Sequence, residues 1–162
     1  MQPLLLVQLL LLLLAANGVP VVAKDILGER LAYPVDGHVR FMDGRPLLGS
    51  SKTVRGILLS VLATLVCAPL VGLNWQIGLR LGSAAMAGDL FSSFLKRRMR
   101  LPSGARATGL DQIPESLFPL LACRNALSLT AVDIGVGVGL FLIGEVFLSR
   151  WLFKVHVRDR PY

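Results

Sequence analysis

Long apolar stretches alternate along this chain with shorter polar segments. A hydrocarbon core about 30 Å thick requires roughly 20 apolar helical residues at about 1.5 Å of rise each. Leu4 to Ala23 meets that length without a charge, although Asn17, Gly18 and Pro20 predict a kink or loosened turn in its second half. Gly56 to Leu73 and Gln76 to Leu95 form two further runs, separated only by a turn around Asn74, and read as a helical hairpin. Ile113 to Phe153 is too long for one crossing and is interrupted by Arg124, Asn125 and Asp133, so it divides into Pro114 to Leu129 and Thr130 to Phe153. The pattern predicts an all-α, polytopic membrane helical bundle of about five transmembrane helices, one integral-membrane domain over residues 1–162. A cleaved signal peptide is the alternative for the first run, with Ala15, Ala16 and Ala23 as small residues near a cleavage point. Met1, Gln2 and Pro3 supply no positive n-region, so a retained helix is expected.

Composition agrees: 54% of the residues are hydrophobic and 17% charged, with a mean hydropathy of +0.65. A disordered tail, a collagen and a disulfide scaffold are excluded. Cys67 and Cys123 lie inside apolar stretches and suggest neither disulfide nor zinc. The net charge of +7 orients the chain. All 17 basic residues except Arg80 and Arg124 fall in the segments 24–55 and 96–112 or toward the closing tail, 154–162. The positive-inside rule places these segments in the cytoplasm, with the N-terminus outside, the C-terminus cytoplasmic and the chain multi-pass in the cell inner membrane. This use of the charge needs no nucleic acid polymer. Nothing fixes a homo-oligomer or a monomer.

Three cytoplasmic segments hold polar residues that hydropathy leaves unexplained. Asp89 lies about two turns before the end of the third helix, where an acid is costly and needs a partner. Asp89, Ser93 and Lys96 share one helix face, with Arg97 and Arg100 continuing it. Either a structural ion pair from Asp89 to Lys96 or Arg97, or a functional site, fits that face. In the first loop, Asp36, Asp43, Lys52 and Arg55 stand among Asp-Gly steps and a Gly49-Ser50-Ser51-Lys52-Thr53 run whose amides and cations suit phosphate. A P-loop is rejected, because Lys52 comes two residues late and no strand precedes it. The bland alternative makes the two aspartates turn formers and Lys52 and Arg55 headgroup anchors. Asp111, before the fourth helix, is either an N-cap or a second carboxylate converging with Asp89. Two carboxylates among phosphate-binding cations suit a magnesium nucleotide site.

Pro34-x-Asp36-Gly37, Asp43-Gly44-Arg45-Pro46-Leu47-x-Gly49-x-x-Lys52-Thr53-x-Arg55-Gly56, Gly88-Asp89-x-x-x-Ser93-Phe94-x-Lys96-Arg97-Arg98 and Leu110-Asp111-Gln112 occur in this order. Together they resemble the CDP-archaeol synthase family, a branch related to the CDP-diacylglycerol synthases. Asn17-x-x-Pro20 and Arg158-Asp159-Arg160-Pro161-Tyr162 look like its bacterial members. The resemblance implies a Mg²⁺-dependent cytidylyltransferase that passes CMP from CTP to a lipid phosphate in the bilayer and releases pyrophosphate. It implies Asp89 and Asp111 as Mg²⁺ ligands and catalytic residues, together with Lys96. Asp36, Asp43, Lys52, Arg55, Ser93 and Arg97 become substrate-binding residues. The P-G-H-G-G-x-x-D-R-x-D stretch of the longer synthases is absent, replaced by Asp111-Gln112. The competing class is a non-catalytic membrane protein, a transporter subunit or an anionic-lipid scaffold.

Overall fold

Each apolar stretch is a helix in the computed structural model, which describes residues 2–105 and 107–154, from 148 onward as backbone alone. α1 spans Pro3–Leu27, α2 Val54–Leu70, α3 Trp75–Arg98, α4 Gln112–Leu127 and α5 Ala131–Lys154. Arg106, His156, Arg158 and Arg160 lie outside the described residues. The caps account for where α2 and α3 begin. Thr53 Oγ1 accepts the Gly56 N–H at 3.1 Å and starts α2 ahead of its apolar run, and Asn74 Oδ1 accepts the Gln76 N–H at 3.0 Å at the start of α3. α1 continues through Pro20. Asn17 donates to the Leu13 carbonyl of its own helix at 3.2 Å rather than across to another one. By length and apolar composition, α1 is the one clear span among the described residues, and α2 is a shorter apolar helix.

α3 is the axis of the bundle, packed most extensively on α4 and α2 and less on α1. Its small residues make this possible. A Cβ on Gly78 would overlap the Thr64 carbonyl of α2, one on Gly82 the Thr64 hydroxyl, and one on Gly88 the Pro114 carbonyl of α4. Ala85 is fully buried on the same side, whereas Ala87 faces outward. α5 packs on α4 and α1. At the end away from the long loops, Asp133 is fully buried and joins the Thr130 N–H and hydroxyl (3.1 and 2.7 Å) to the Gln2 N–H (3.1 Å), tying α5 to the start of α1.

The first loop is built around Asp36. Its carboxylate accepts N–H bonds from Gly49 (2.8 Å), Leu48 (2.9 Å) and His38 (3.1 Å). Isolated bridges pair Pro34 with Thr53 and Arg40 with Pro46, and the Val35 N–H donates to the Lys52 carbonyl at 2.8 Å. Gly49 has a φ of 98°, which brings its amide to Asp36 in a backbone state that side chains disfavour. Burial alone would raise the Asp36 pKa, but the Gly49, Leu48 and His38 amides and the His38 charge together hold it below the usual carboxylate range.

Two outcomes follow from this packing. Gly88→Ala pushes a methyl against a backbone carbonyl that has no rotamer to yield, so we expect a loss of about 1–3 kcal/mol in thermal unfolding in detergent. Gly144→Ala, in open space on α5, is expected to keep or slightly raise the melting temperature. For Asp36, the contribution is complete above an unfolded aspartate's pKa of about 3.9 and disappears as pH falls through the lower folded value. Hydrogen exchange at the Gly49 and Leu48 amides is therefore expected to stay slow down to about pH 4 and to accelerate below it. In Asp36→Ala it is expected to be fast at every pH.

Candidate active site

Two lysine–aspartate pairs lie toward the loop end of α3. Lys52, carried by the first loop, donates to Asp89 at 2.5 Å. Lys96 pairs with Asp111 at 2.7 Å and donates to the Ala105 carbonyl at 2.9 Å. Asp89 and Lys96 are seven residues apart on one helix, so their backbones are about 10 Å apart along the axis. Asp89 therefore takes its cation from the loop, and neither Lys96 nor Arg97 of its own helix fills that place. Asp111 stands at the N-cap position of α4 but caps none of its amides. Its second oxygen accepts the Ala107 N–H at 3.1 Å. Among the described residues the two aspartates are held by separate lysines, Asp89 by Lys52 and Asp111 by Lys96.

Beside Asp89 is an acid that the sequence pattern leaves among the helix-start residues. Glu115 of α4 is 7% exposed and lies beside Asp89, carboxyl against carboxyl. Lys52 and Glu145 of α5 both act electrostatically on Glu115. Gly88 and Pro114 explain the contact: where their backbones touch, the next residue of each helix is an acid. That doublet, Gly-Asp and Pro-Glu, is the signal in the sequence that could have pointed to Glu115, and the spacing argument passed over it.

The arginines divide by role. Arg97 is buried; it donates to the Pro102 carbonyl at 2.6 Å, and its Nε has no hydrogen-bond partner among the described residues. With Arg45, Arg100 and Ser103 it lines a cavity of about 260 Å³. Gly49 forms part of its surroundings, since a Cβ there would crowd Ser103 and Arg97. Arg98 fastens the loop to α3. It binds Asp43 at 2.6 Å and the Pro46 carbonyl at 2.7 Å, with its guanidinium 4.7 Å from the Phe41 ring centre and 5.0 Å from that of Phe94. Arg45 in turn donates to the Arg98 carbonyl at 3.3 Å. Asp36 and Asp43 thus order the loop. Arg55 lies apart from both lysines' partners and holds the Gly28 and Arg30 carbonyls beyond the end of α1. Ser93 is buried on the Asp89–Lys96 face, and its hydroxyl has no hydrogen-bond partner.

Among the described residues no three histidine, cysteine or acidic side chains gather as a metal cage. Mg²⁺ asks for less, since one or two carboxylates plus substrate phosphates suffice. The donor chemistry fits such an ion: Asp89 is only partly covered and has the Glu115 carboxyl beside it, so two oxygen donors stand together.

No protein-family model matches the chain. The chain is similar to the CDP-archaeol synthase of Sulfurisphaera tokodaii, with 37% identity over 155 residues covering 92% of this chain and 90% of the relative. It is also similar to that of Hyperthermus butylicus, with 38% identity over 122 residues, 70% of this chain and 68% of the relative. A solved structure described as "Structural insight into an intramembrane enzyme for archaeal membrane lipids biosynthesis" superposes with a TM-score of 0.72 at 30% identity, covering 88% of this chain and 91% of that one. The termini suggested a bacterial member, an expectation that gains no support because these relatives are archaeal. Five helices, the ordered loop and identity running nearly end to end converge on one conclusion: the chain belongs to the CDP-archaeol synthase family.

Proposed function

We propose that this chain transfers CMP from CTP to the phosphate of a membrane lipid, an archaeal-type ether lipid or a related precursor, forming a CDP-activated lipid. The lipid phosphate oxygen attacks the α-phosphorus of CTP, the bond from that phosphorus to the β-phosphate oxygen breaks, and pyrophosphate departs. A phosphate monoester dianion is already a nucleophile, so no side chain has to take a proton, and catalysis consists of positioning and charge neutralisation. The observation that carries this reading is the pair of lysine–aspartate contacts at the loop end of α3. Lys52 and Lys96 are held beside carboxylates until anionic phosphates take their place. Arg97, with its unpartnered Nε, and its neighbours Arg45 and Arg100 receive the charge that develops on the departing pyrophosphate. The Ser93 hydroxyl is a free donor on the same face.

Asp89 and Asp111 would hold Mg²⁺ on the triphosphate, with Glu115 beside Asp89. When bound, the ion supplies Lewis-acid stabilisation of the transferring phosphoryl oxygens. Arg55 contributes by fixing the end of α1 relative to α2. We place the protein in the cell inner membrane as a five-crossing chain with its N-terminus outside, supported by the gathering of basic residues in the long loops.

In protein that is correctly inserted, Asp89→Asn and Asp111→Asn are each expected to lower CTP turnover with a lipid phosphate acceptor by at least about 100-fold. Both are also expected to weaken Mn²⁺ binding, followed by electron paramagnetic resonance without lipid. Full Mg²⁺-dependent turnover in both variants would sink the site assignment. Glu115→Gln leaves an amide of the same shape beside Asp89 but no second carboxyl for an ion, and we expect weaker Mn²⁺ binding with the melting temperature retained.

A further inference from the structure

Of the 17 basic residues, Arg80 and Arg124 alone stand away from the long loops and the closing tail. They come from different helices but share one level of the bundle. α3 and α4 run antiparallel and touch at Gly88, where a Cβ would meet the Pro114 carbonyl and the Glu115 amide. Eight residues back along α3 is Arg80, and eight forward from Pro114 and Glu115 are Ala122 and Cys123, immediately before Arg124. The Arg80 charge is accordingly felt at the buried Cys123 thiol. Both arginines are exposed, as is Asn125 beside them. Neither guanidinium has a hydrogen bond or an ion pair among the described residues. The sequence supplies no counter-ion either, because no acid occurs between Asp43 and Asp89 or between Glu115 and Asp133. Asp133 is fully buried, with its oxygens already committed to Thr130 and the Gln2 N–H. Arg124 lies in the last turn of α4, where the helix carbonyls complement a cation, but Arg80, early in α3, has no such complement.

We propose that Arg80 and Arg124 together hold the phosphate of an anionic membrane phospholipid at the bilayer surface opposite the long loops, and so brace α3 against α4 there. The inference rests on the membrane-spanning reading of the bundle and is independent of the CTP chemistry. An exposed arginine on a membrane helix is tolerable when its guanidinium reaches the headgroup level, where phosphate is the abundant anion. Trp75, 51% exposed at the start of α3, is the kind of ring that marks that level. Arg80 lies five residues further on, about 7.5 Å along the axis, a distance that an extended arginine side chain covers. Helical side chains lean toward the N-terminus of their helix, which for α3 is the Trp75 end. A guanidinium fork matches the two free oxygens of a phosphodiester, and two forks from two helices bind it while linking those helices.

The test uses the full chain in detergent micelles, titrated with phosphatidylglycerol, phosphatidylcholine or inorganic phosphate and followed by native mass spectrometry. We expect the first phosphatidylglycerol to bind more tightly than phosphatidylcholine. Replacing both arginines, Arg80→Gln with Arg124→Gln, is expected to raise its apparent Kd at least about tenfold, the loss of one or two charge-assisted hydrogen bonds. Lys24→Gln with Arg30→Gln removes two exposed cations at the opposite end and is expected to bind that first lipid as the unmodified protein does. An unchanged Kd in the arginine variant, an equal loss in the Lys24 and Arg30 variant, or equal affinity for phosphatidylcholine overturns the proposal. So does inorganic phosphate that displaces phosphatidylglycerol at equal concentration, since the pair would then be an anion site without a lipid. A photoreactive group in the phosphatidylglycerol headgroup locates the site in the unmodified chain and decides the matter if the arginine variant does not fold. Labelling within residues 74–80 or 121–128 supports the proposal, and labelling only elsewhere overturns it. Release of the chain from membranes by alkaline carbonate would instead defeat the spanning reading, and the proposal with it.

Discussion

The contact between Lys52 and Asp89 is the constraint on which the rest of the structure turns. An acid placed well inside a helix of an intramembrane enzyme is expensive unless a cation reaches it. Here the cation belongs to a loop, so the loop must be folded for α3 to be tolerable. Asp36 gathers the amides of residues 38, 48 and 49, and Arg98 clasps the hairpin against two phenylalanine rings. Both devices fix the direction in which Lys52 points. Loop order and helix stability are therefore one problem, and the polar residues of the loop belong to the core as much as to the site.

The second lysine–aspartate pair repeats this arrangement two turns nearer the end of α3 and links the helix to the loop before α4. Two neutral pairs leave the lysines near their working positions without leaving isolated charges in a region of low dielectric. Arg97 is different. It is buried and, among the described residues, holds the Pro102 carbonyl while its Nε has no partner, so it has much to gain from an incoming anion. Under the proposed function, binding of a polyphosphate would exchange carboxylate contacts for phosphate contacts at the lysines and add new ones at the arginine. Affinity should accordingly reside more in Arg97 and its neighbours, and alignment of the reacting groups more in the lysines.

Much of this was legible in the sequence, because the bilayer imposes a length that apolar runs reveal. All five helices lie where those runs are, and α2 and α3 start earlier than the runs because of caps, Thr53 and Asn74, that hydropathy ignores. Asp89, Ser93, Lys96 and Arg97 could be seen on one face from spacing alone. The partners could not. Helical periodicity relates Asp89 only to its own helix, and it offered Lys96 or Arg97, whereas the pairing depends on a loop whose course is set by Asp36. Glu115 was hidden for a related reason: its importance comes from the absence of a side chain at Gly88 on another helix. Arg55 looked like a phosphate ligand by its place in a motif, yet its hydrogen bonds go to the carbonyls that follow α1.

The glycines of α3 and Gly18 of α1 stand in opposite surroundings. Gly78 and Gly88 are filled by neighbouring backbone and Gly82 by the Thr64 hydroxyl, so they convert missing side chains into close helix contacts, and at Gly88 the contact sets the acids of α3 and α4 side by side. Gly18 has no such neighbour, and a missing side chain there gains no packing within the chain. Glycine in a helix weakens it by roughly 1 kcal/mol relative to alanine. At the first three positions the close packing offsets that penalty, but at Gly18 nothing within the protein does. Gly135, Gly139 and Gly144 of α5 are equally open, so glycine serves close packing along α3 and leaves that penalty without a packing return at the open positions of α1 and α5.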